Sequence, residues 1–187
     1  MNDISHEITM IKQLAALITL SLLISGAHAQ MWNPDVTNKL ELSVAQAIIK
    51  ANETDPALTR WFESAYAYAV FPRVGKGGFI IGGAHGKGLV IQGGRTVGRT
   101  SLTQLTVGAQ VGGQTYSQYI MFKDQIAFEH FTRGNFEIGA QVSAVAITIG
   151  ASADASYDSG VAVFTLAEGG LMVEASVGGQ KFKYKPR

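Results

Sequence analysis

The chain has 187 residues, of which 47% are hydrophobic and 16% are charged, with 22 glycines and no cysteine. This length predicts one domain with a sizeable core, and the composition excludes general disorder. The lack of cysteine excludes disulfides, thiolate metal sites, a cysteine nucleophile and a cysteine-linked lipid anchor. The formal net charge of +1 excludes nothing by itself, because it can hide charged blocks of opposite sign.

The N-terminal segment has the pattern of a secretory signal peptide. Lys12 supplies a short positive region, residues 14–24 form an almost unbroken apolar run, and small residues stand at Ala27 and Ala29. The run is too short to span a bilayer, which takes about 20 residues. We therefore expect residues 1–29 to be a signal peptide cleaved after Ala29, with export to a bacterial periplasm and one mature domain over residues 30–187.

Two short helices are predicted after the signal segment. Ser43 can cap the first, since apolar residues recur at helical spacing between Leu40 and Ala51. Asp55 and Pro56 have the residue types of an N-cap and a first helical position for the second. We expect Pro72 to close this region, because the residue before a proline avoids helical backbone angles.

Short apolar runs separated by glycines begin at Gly77 and predict about eight β-strands. We expect an α+β fold that is mainly antiparallel, with a closed or strongly curved, barrel-like sheet. A short internal helix is expected between Asp124 and Gly134, and residues 84–87 are expected to form a hairpin loop. The predicted strands are 79–83, 88–92, 103–111, 116–122, 139–153, 161–166, 171–177 and 181–184.

The sequence contains no pattern typical of catalysis. The glycine-rich segments fit neither a phosphate-binding loop nor a dinucleotide fingerprint, and no serine lies in a Gly-x-Ser-x-Gly motif. His85 and His130 are not spaced like metal ligands. Residues 154–160 resemble the start of a calcium loop, but the glycine comes one position late, so a polar turn is expected. We predict no enzymatic activity, no cofactor, no metal site and no nucleic-acid partner.

The charges fall into blocks along the chain. Residues 64–123 contain six basic residues and no acid, residues 124–180 contain one basic residue and seven acids, and Lys181–Arg187 contains four basic residues. A long segment without carboxylates creates a positive field that attracts anionic lipid headgroups, unless acidic strands fold against it as a balanced, solvated surface. Arg95 and Arg99 are candidate lipid-binding residues on this pattern alone. The lysines of the tail alternate with aromatic residues, which is also how an edge strand avoids aggregation.

One segment resembles the signature of the SYLF-domain family. Residues 69–83 read AVFPRVGKGGFIIGG and are followed by Gly-Lys-Gly at 86–88. Residues 107–114, VGAQVGGQ, and 136–143, FEIGAQVS, are further matches, so the resemblance extends over residues 40–185. Members of this family are described as phosphoinositide- and lipid-binding, and the yeast members also bind actin.

The resemblance implies a domain that binds an anionic phospholipid or lipid-like ligand at a membrane surface. It assigns Arg73, Lys76 and Lys87 to the lipid-binding surface, because they lie inside the matching motif. Two other functions stay open: a structural or envelope protein that binds another protein through a sheet edge, and a small outer-membrane β-barrel. The structural glycines of the motif are Gly75, Gly77, Gly78, Gly82, Gly83, Gly86 and Gly88.

Overall fold

The structure is a computed structural model of the chain. It describes residues 32–78, 81–107, 112–134, 136–139, 142–169 and 177–187. The predicted signal peptide and most of the predicted strand 171–177 lie outside the described residues. The described residues all belong to one compact unit, Met31–Arg187.

Three α-helices accompany the sheet in the described ranges. Helix α1 spans Lys39–Thr54, α2 spans Thr59–Ser64 directly after a 3-10 turn at Pro56–Leu58, and α3 spans Gln125–Thr132. These helices confirm the two predicted N-terminal helices and the predicted internal one. None of the helices in the described part of the chain combines the length and the apolar character that crossing a bilayer requires.

Eight described strands form one sheet in the order β5-β8-β3-β2-β1-β4-β7-β6. Among the strands in the described ranges only the β6–β7 pair is parallel, and the sheet curls strongly into a half-barrel. The predicted α+β fold with a mainly antiparallel, strongly curved sheet is therefore confirmed. The strands are β1 Ala67–Gly78, β2 Ile81–Gln92, β3 Arg95–Val107, β4 Gly112–Phe122, β5 Phe136–Glu137, β6 Ala144–Ala146, β7 Val161–Gly169 and β8 Lys181–Pro186.

The curl brings distant strands into contact through a pair of buried glutamines. Gln118 on β4 and Gln180, just before β8, exchange two amide hydrogen bonds of 2.7 and 3.1 Å. Three strands separate β8 from β4 in the sheet order, so this pair spans the inside of the half-barrel. Gln180 also donates to the hydroxyl of Tyr116, so the two amides and the phenol form one network.

The N-cap of helix α1 is Asn38, five residues before the predicted cap Ser43. The side chain of Asn38 accepts hydrogen bonds from the backbone N–H groups of Leu40 and Glu41. Ser43 lies inside the helix, where its hydroxyl donates to the carbonyl of Lys39. The prediction of Ser43 as the cap is wrong, because Asn38 already satisfies the first free N–H groups of the helix.

Asp55 joins the N-terminal helices to the loop that follows β6. It caps the 3-10 turn, as predicted, by accepting a hydrogen bond from Ala57, and it also accepts from the backbone N–H groups of Gly150 and Ser152. Burial works to raise the pKa of this carboxyl, but hydrogen bonds from Ser152, Ala57 and Gly150 outweigh it and lower the pKa. Trp61 strengthens the same junction by donating to the carbonyl of Ser152.

The predicted strand 139–153 is wrong for most of its length. Within it the structure has the three-residue strand β6 and, after it, a series of turns. Gly150 has a positive φ of 80°, which a strand does not allow. The hydrogen bonds from this loop to Asp55 replace the ladder bonds that a strand would make.

Pro72 lies inside β1 and does not end the preceding region, so this prediction is wrong. Strand β1 has neighbours on both sides, and its register shifts beside Pro72 against β2 and against β4. A proline has no N–H to donate to a central strand and is accommodated at such irregularities. The bulge therefore lets one strand extend from Ala67 to Gly78 through the proline.

The predicted hairpin loop at residues 84–87 is also wrong. Strand β2 is continuous over 12 residues, and Ala84 to Lys87 pair with β1 on one side and with β3 on the other. The turn between β2 and β3 lies instead at Gly93 and Gly94, which have φ values of 53° and 71°. Two-residue hairpin turns of this kind require positive φ at both positions, and glycine adopts it without strain.

Each face of the sheet carries its own core. The face that we name the α1 face packs Leu89 and Phe164, among others, beneath α1 and α2. The opposite face, the α3 face, packs Phe122 and Phe182 with residues of α3. Because side chains alternate along a strand, the register and these two cores decide on which face each basic residue lies.

Candidate functional site

Three of the candidate cations lie together on the α1 face. Lys87 is two residues before Leu89 on β2, and Leu89 is buried in the core of that face. Arg73 of β1 is directly opposite Lys87, and Arg99 of β3 is directly opposite Leu89. Arg73, Lys87 and Arg99 thus occupy neighbouring positions on three adjacent strands.

The C-terminal strand extends this positive surface. Arg99 of β3 is directly opposite Lys185 of β8, and Ser101 is directly opposite Lys183. Phe182 belongs to the core of the α3 face, so alternation places the lysines on the α1 face, away from the aromatic residues, as predicted. We name as the basic face the exposed residues Arg73, Lys87, Arg99, Lys183 and Lys185.

The cations of the basic face have no acidic partner within 4.0 Å among the described residues. Like charges directly opposite each other on neighbouring strands destabilise a sheet. The basic face contains two such pairs, Arg73–Lys87 and Arg99–Lys185, and therefore costs the fold some stability. The ion pairs between described residues lie elsewhere, at Glu129–Arg133, Glu137–Lys181 and Glu41–Arg187.

The structure places the other two candidate cations apart from the basic face. Lys76 is directly opposite Ala84 of β2, which belongs to the core of the α3 face, so Lys76 lies on that face. Arg95 follows the Gly93–Gly94 turn and pairs with Gln92 at the far end of β2. Neither residue is adjacent in register to the cations of the basic face.

Four glycines of the motif fall into two different environments. A Cβ at Gly88 would collide with the carbonyl oxygen of Val70, and one at Gly86 would lie 2.9 Å from a methyl group of β1. At Gly75 and Gly77 an added Cβ would have no described atom within 4 Å. Close packing of β2 against the bulge of β1 therefore requires glycine at positions 86 and 88, whereas positions 75 and 77 have space for a side chain.

A groove of about 930 Å³ lies between α1 and the part of the sheet that contains Arg73 and Lys87. Lys50 of α1 lines the groove from the helix side, and Glu168 of β7 lines it from the sheet. Sequence reasoning missed Lys50 and Glu168, because each lies in a segment whose net charge is negative and far from the motif. Only the packing of α1 on β1 and β2 brings these side chains into one cavity.

Tyr119 fixes the position of α1 beside the groove. Its hydroxyl donates a 2.7 Å hydrogen bond to the carbonyl of Ala47, a residue of α1 that also lines the groove. Burial raises the pKa of Tyr119 to about 12, and the nearby charge of Glu168 contributes to the increase. Glu168 itself lines the groove, so its carboxylate can accept hydrogen bonds from a ligand there.

Arg187 holds the N-terminal part of α1 from the other side. Its guanidinium donates a 2.8 Å hydrogen bond to Glu41, whose side chain is almost completely buried. The second carboxylate oxygen of Glu41 accepts from the backbone N–H of Asp35. Arg187 thus neutralises Glu41, the buried acid of α1. Glu41 is therefore not available as an ion-pair partner for the lysines of β8.

Residues 154–160 form a polar turn, as predicted. Asp158 and Val161 exchange two backbone hydrogen bonds around Ser159 and Gly160, which both have positive φ. Across the described ranges, no three histidine, aspartate or glutamate side chains are grouped as a metal site would require.

The curled sheet with helices packed on both faces is a mixed α+β half-barrel domain. Residues 103–186 match the family Ysc84, described as Las17-binding protein actin regulator. The matched range is a little under half of the chain, and the match agrees with the resemblance of the sequence to the SYLF family. The matched range begins after Arg99, so it contains the lysines of β8 and not the first motif.

The chain is also similar to a bacterial protein, beta cell expansion factor A of Aeromonas veronii. The two sequences are 27% identical over 160 residues. The similarity covers 82% of this chain and 60% of the relative, so the chain spans less than two thirds of that protein.

Proposed function

We propose that the protein is an exported, non-enzymatic lipid-binding protein that docks on membranes through anionic lipid headgroups. The single observation that carries this proposal is the presence of two directly opposed like-charge pairs, Arg73–Lys87 and Arg99–Lys185, on one exposed face. A fold that only had to be stable would separate such charges or neutralise them with acids. A planar array of anionic headgroups supplies the missing counter-charge for all of these side chains together.

The strength of this attraction follows from the number of cations. Each basic residue near an anionic membrane contributes about 1 kcal/mol, and the interaction decays over a Debye length of about 8 Å at physiological salt. The five residues of the basic face come from four adjacent strands, β1, β2, β3 and β8, and so can approach one surface at the same time. Their combined contribution is enough for reversible binding that weakens as salt increases.

Vesicle co-sedimentation tests the proposal. We expect the protein to sediment with vesicles of phosphatidylcholine and phosphatidylglycerol, and not with phosphatidylcholine alone. The double variant Arg99→Gln/Lys185→Gln should lose most of this binding. The matched control is Lys123→Gln/Arg133→Gln, which removes the same charge from exposed positions outside the basic face.

The outcomes distinguish binding through the basic face from attraction by the net charge of the protein. Equal losses in the two double variants would show that net charge alone drives binding, which contradicts the proposal. A protein that remains in the supernatant with anionic vesicles at low salt would also overturn it.

For export, we expect the N-terminal residue of the protein isolated from its native host to be Gln30, as mass spectrometry of that protein can determine.

A further inference from the structure

We infer that the groove between α1 and the sheet binds a phosphate ester whose alcohol part carries hydrogen-bond donors. The inference rests on the proposed function in that Arg73 and Lys87 belong both to the basic face and to the groove. It goes further, because it specifies a bounded site for one headgroup or one soluble phosphate ester, and not only a surface charge.

The cations of the groove converge from opposite sides. Arg73 and Lys87 are directly opposite on the sheet, where side chains of such pairs start about 5 Å apart. Lys50 approaches from α1 across the cavity. A phosphate placed among them accepts charge-assisted hydrogen bonds from all three, and a guanidinium and a phosphate suit each other as a bidentate pair.

The remainder of the groove is suited to an alcohol and not to a second phosphate. Ser43 and Gln46 line the α1 side, and Thr115 and Glu168 line the sheet side. A hydroxyl or amide can donate or accept, but the carboxylate of Glu168 only accepts, and it repels a further anion. A ligand that fills this part therefore presents hydroxyl or ammonium donors to Glu168.

The volume of the groove fits this class of ligand. Small-molecule sites typically have volumes of 300–1,000 Å³, and the groove has about 930 Å³. Gly75 also lines it, and an added Cβ there would meet no described atom within 4 Å, so the backbone of β1 is accessible from the cavity. A glycerol phosphate group has the required phosphate and hydroxyl donors and enters this space easily.

Calorimetric titration with soluble ligands tests the site without a membrane. We expect sn-glycerol 3-phosphate to bind at one site and inorganic phosphate to bind more weakly, because only the ester offers donors to Glu168. Arg73→Gln or Lys87→Gln should weaken the binding of the ester by about tenfold or more, as the loss of a charge-assisted hydrogen bond implies. Gln46→Trp, an exposed position, should block the groove without changing its charge.

The variant Glu168→Gln tests selectivity. We expect it to tighten binding of inorganic phosphate, since a repulsive charge is removed, and to weaken or leave unchanged the binding of the ester. The ratio of the two affinities should therefore fall toward one. Equal affinity for both ligands in the unmodified protein, or an unchanged ratio in Glu168→Gln, would overturn the inference.

Vesicle experiments distinguish the two sources of the phosphate ester and the two proposals. If a lipid is the source, Gln46→Trp should reduce binding to phosphatidylglycerol vesicles, and glycerol phosphate should compete; if a soluble ester is the source, only the calorimetric signal should change. Vesicle binding without any calorimetric binding of glycerol phosphate overturns the groove and leaves the basic face intact. Calorimetric binding of glycerol phosphate without vesicle binding supports the groove and overturns membrane docking through the basic face.

Discussion

Arg73 on β1 and Lys87 on β2 are directly opposite each other on the α1 face, and neither has an ion-pair partner among the described residues. Both side chains are exposed, so each is hydrated, but their charges still repel across the short distance between paired strands. The pair of like charges therefore lowers the stability of the fold and, at the same time, favours the binding of an anion. Removing one charge should help the fold and harm the binding of an anion.

The first prediction concerns the effect of the Arg73–Lys87 repulsion on the stability of the fold. Lys87→Gln should increase the free energy of unfolding by about 0.2–1 kcal/mol at low salt, which is the usual size of cross-strand charge effects. The gain should shrink as salt screens the pair. Urea denaturation at two salt concentrations measures both effects. Lys183→Gln is the control, because it faces the neutral Ser101 across β3 and β8; a gain of the same size there, or a loss in Lys87→Gln, would contradict the prediction.

A second prediction compares two glycines of the motif. Gly88→Ala should destabilise the fold by about 1–3 kcal/mol, because the new methyl group meets the carbonyl oxygen of Val70 in a packed region. Gly77→Ala has open space and should be neutral or stabilise by about 0.4–1 kcal/mol, since alanine reduces the freedom of the unfolded chain. Urea denaturation of the two variants side by side should show a loss of stability in Gly88→Ala alone, and a similar loss in both would show that the glycines act through something other than packing.

The fold was largely predictable from local patterns, and the errors arose where tertiary structure overrides them. The helix between Asp124 and Gly134 and the alternation of β8 depend on neighbours in the sequence, so both predictions are correct. The strands through Pro72 and through residues 84–87 were not, because a bulge and the pairing of β2 on both sides decide them. Glycine and proline mark turns on average, but here they mark positions where strands bend or come close.

The positive charge of the candidate site was predictable, but the residues that form the site were not. The acid-free segment indicated a positive surface, and three of its cations do lie together. Which cations share a face depends on register, and a one-residue shift moves a side chain to the other face. Lys76 is placed on the α3 face by this rule, whereas Lys185 joins Arg99 only through the pairing of β3 with β8. Lys50 and Glu168 required knowledge of where α1 packs.

A third prediction concerns Asp55 and pH. Its folded-state pKa lies below the ordinary value of 3.8, so its contribution to stability is complete above that value and is lost as the pH falls through the folded-state pKa. Asp55→Asn should cost about 1.5–3 kcal/mol at pH 7, the range for hydrogen bonds to a charged group. Urea denaturation should show the difference from the unmodified protein shrinking as the pH falls below 3.8. Asp154→Asn, an exposed control in the same loop region, should cost little at either pH.

The last prediction tests whether the amide pair inside the half-barrel holds its curl. Gln118 and Gln180 are completely buried and hydrogen-bond each other in both directions. Replacing either one by leucine leaves the other buried amide without its partner, which costs about 1–3 kcal/mol. Replacing both removes the polar groups together and should cost much less than the sum.

The cycle is best measured by urea denaturation in a Tyr116→Phe background, because Gln180 also donates to the hydroxyl of Tyr116. In that background every polar group of the network is removed when both glutamines become leucine, so a strong favourable coupling between the two substitutions is expected. Additive losses would instead mean that each glutamine acts through separate contacts. Since β4 and β8 are joined through three intervening strands, additivity would also show that this bridge does not couple the two strands energetically.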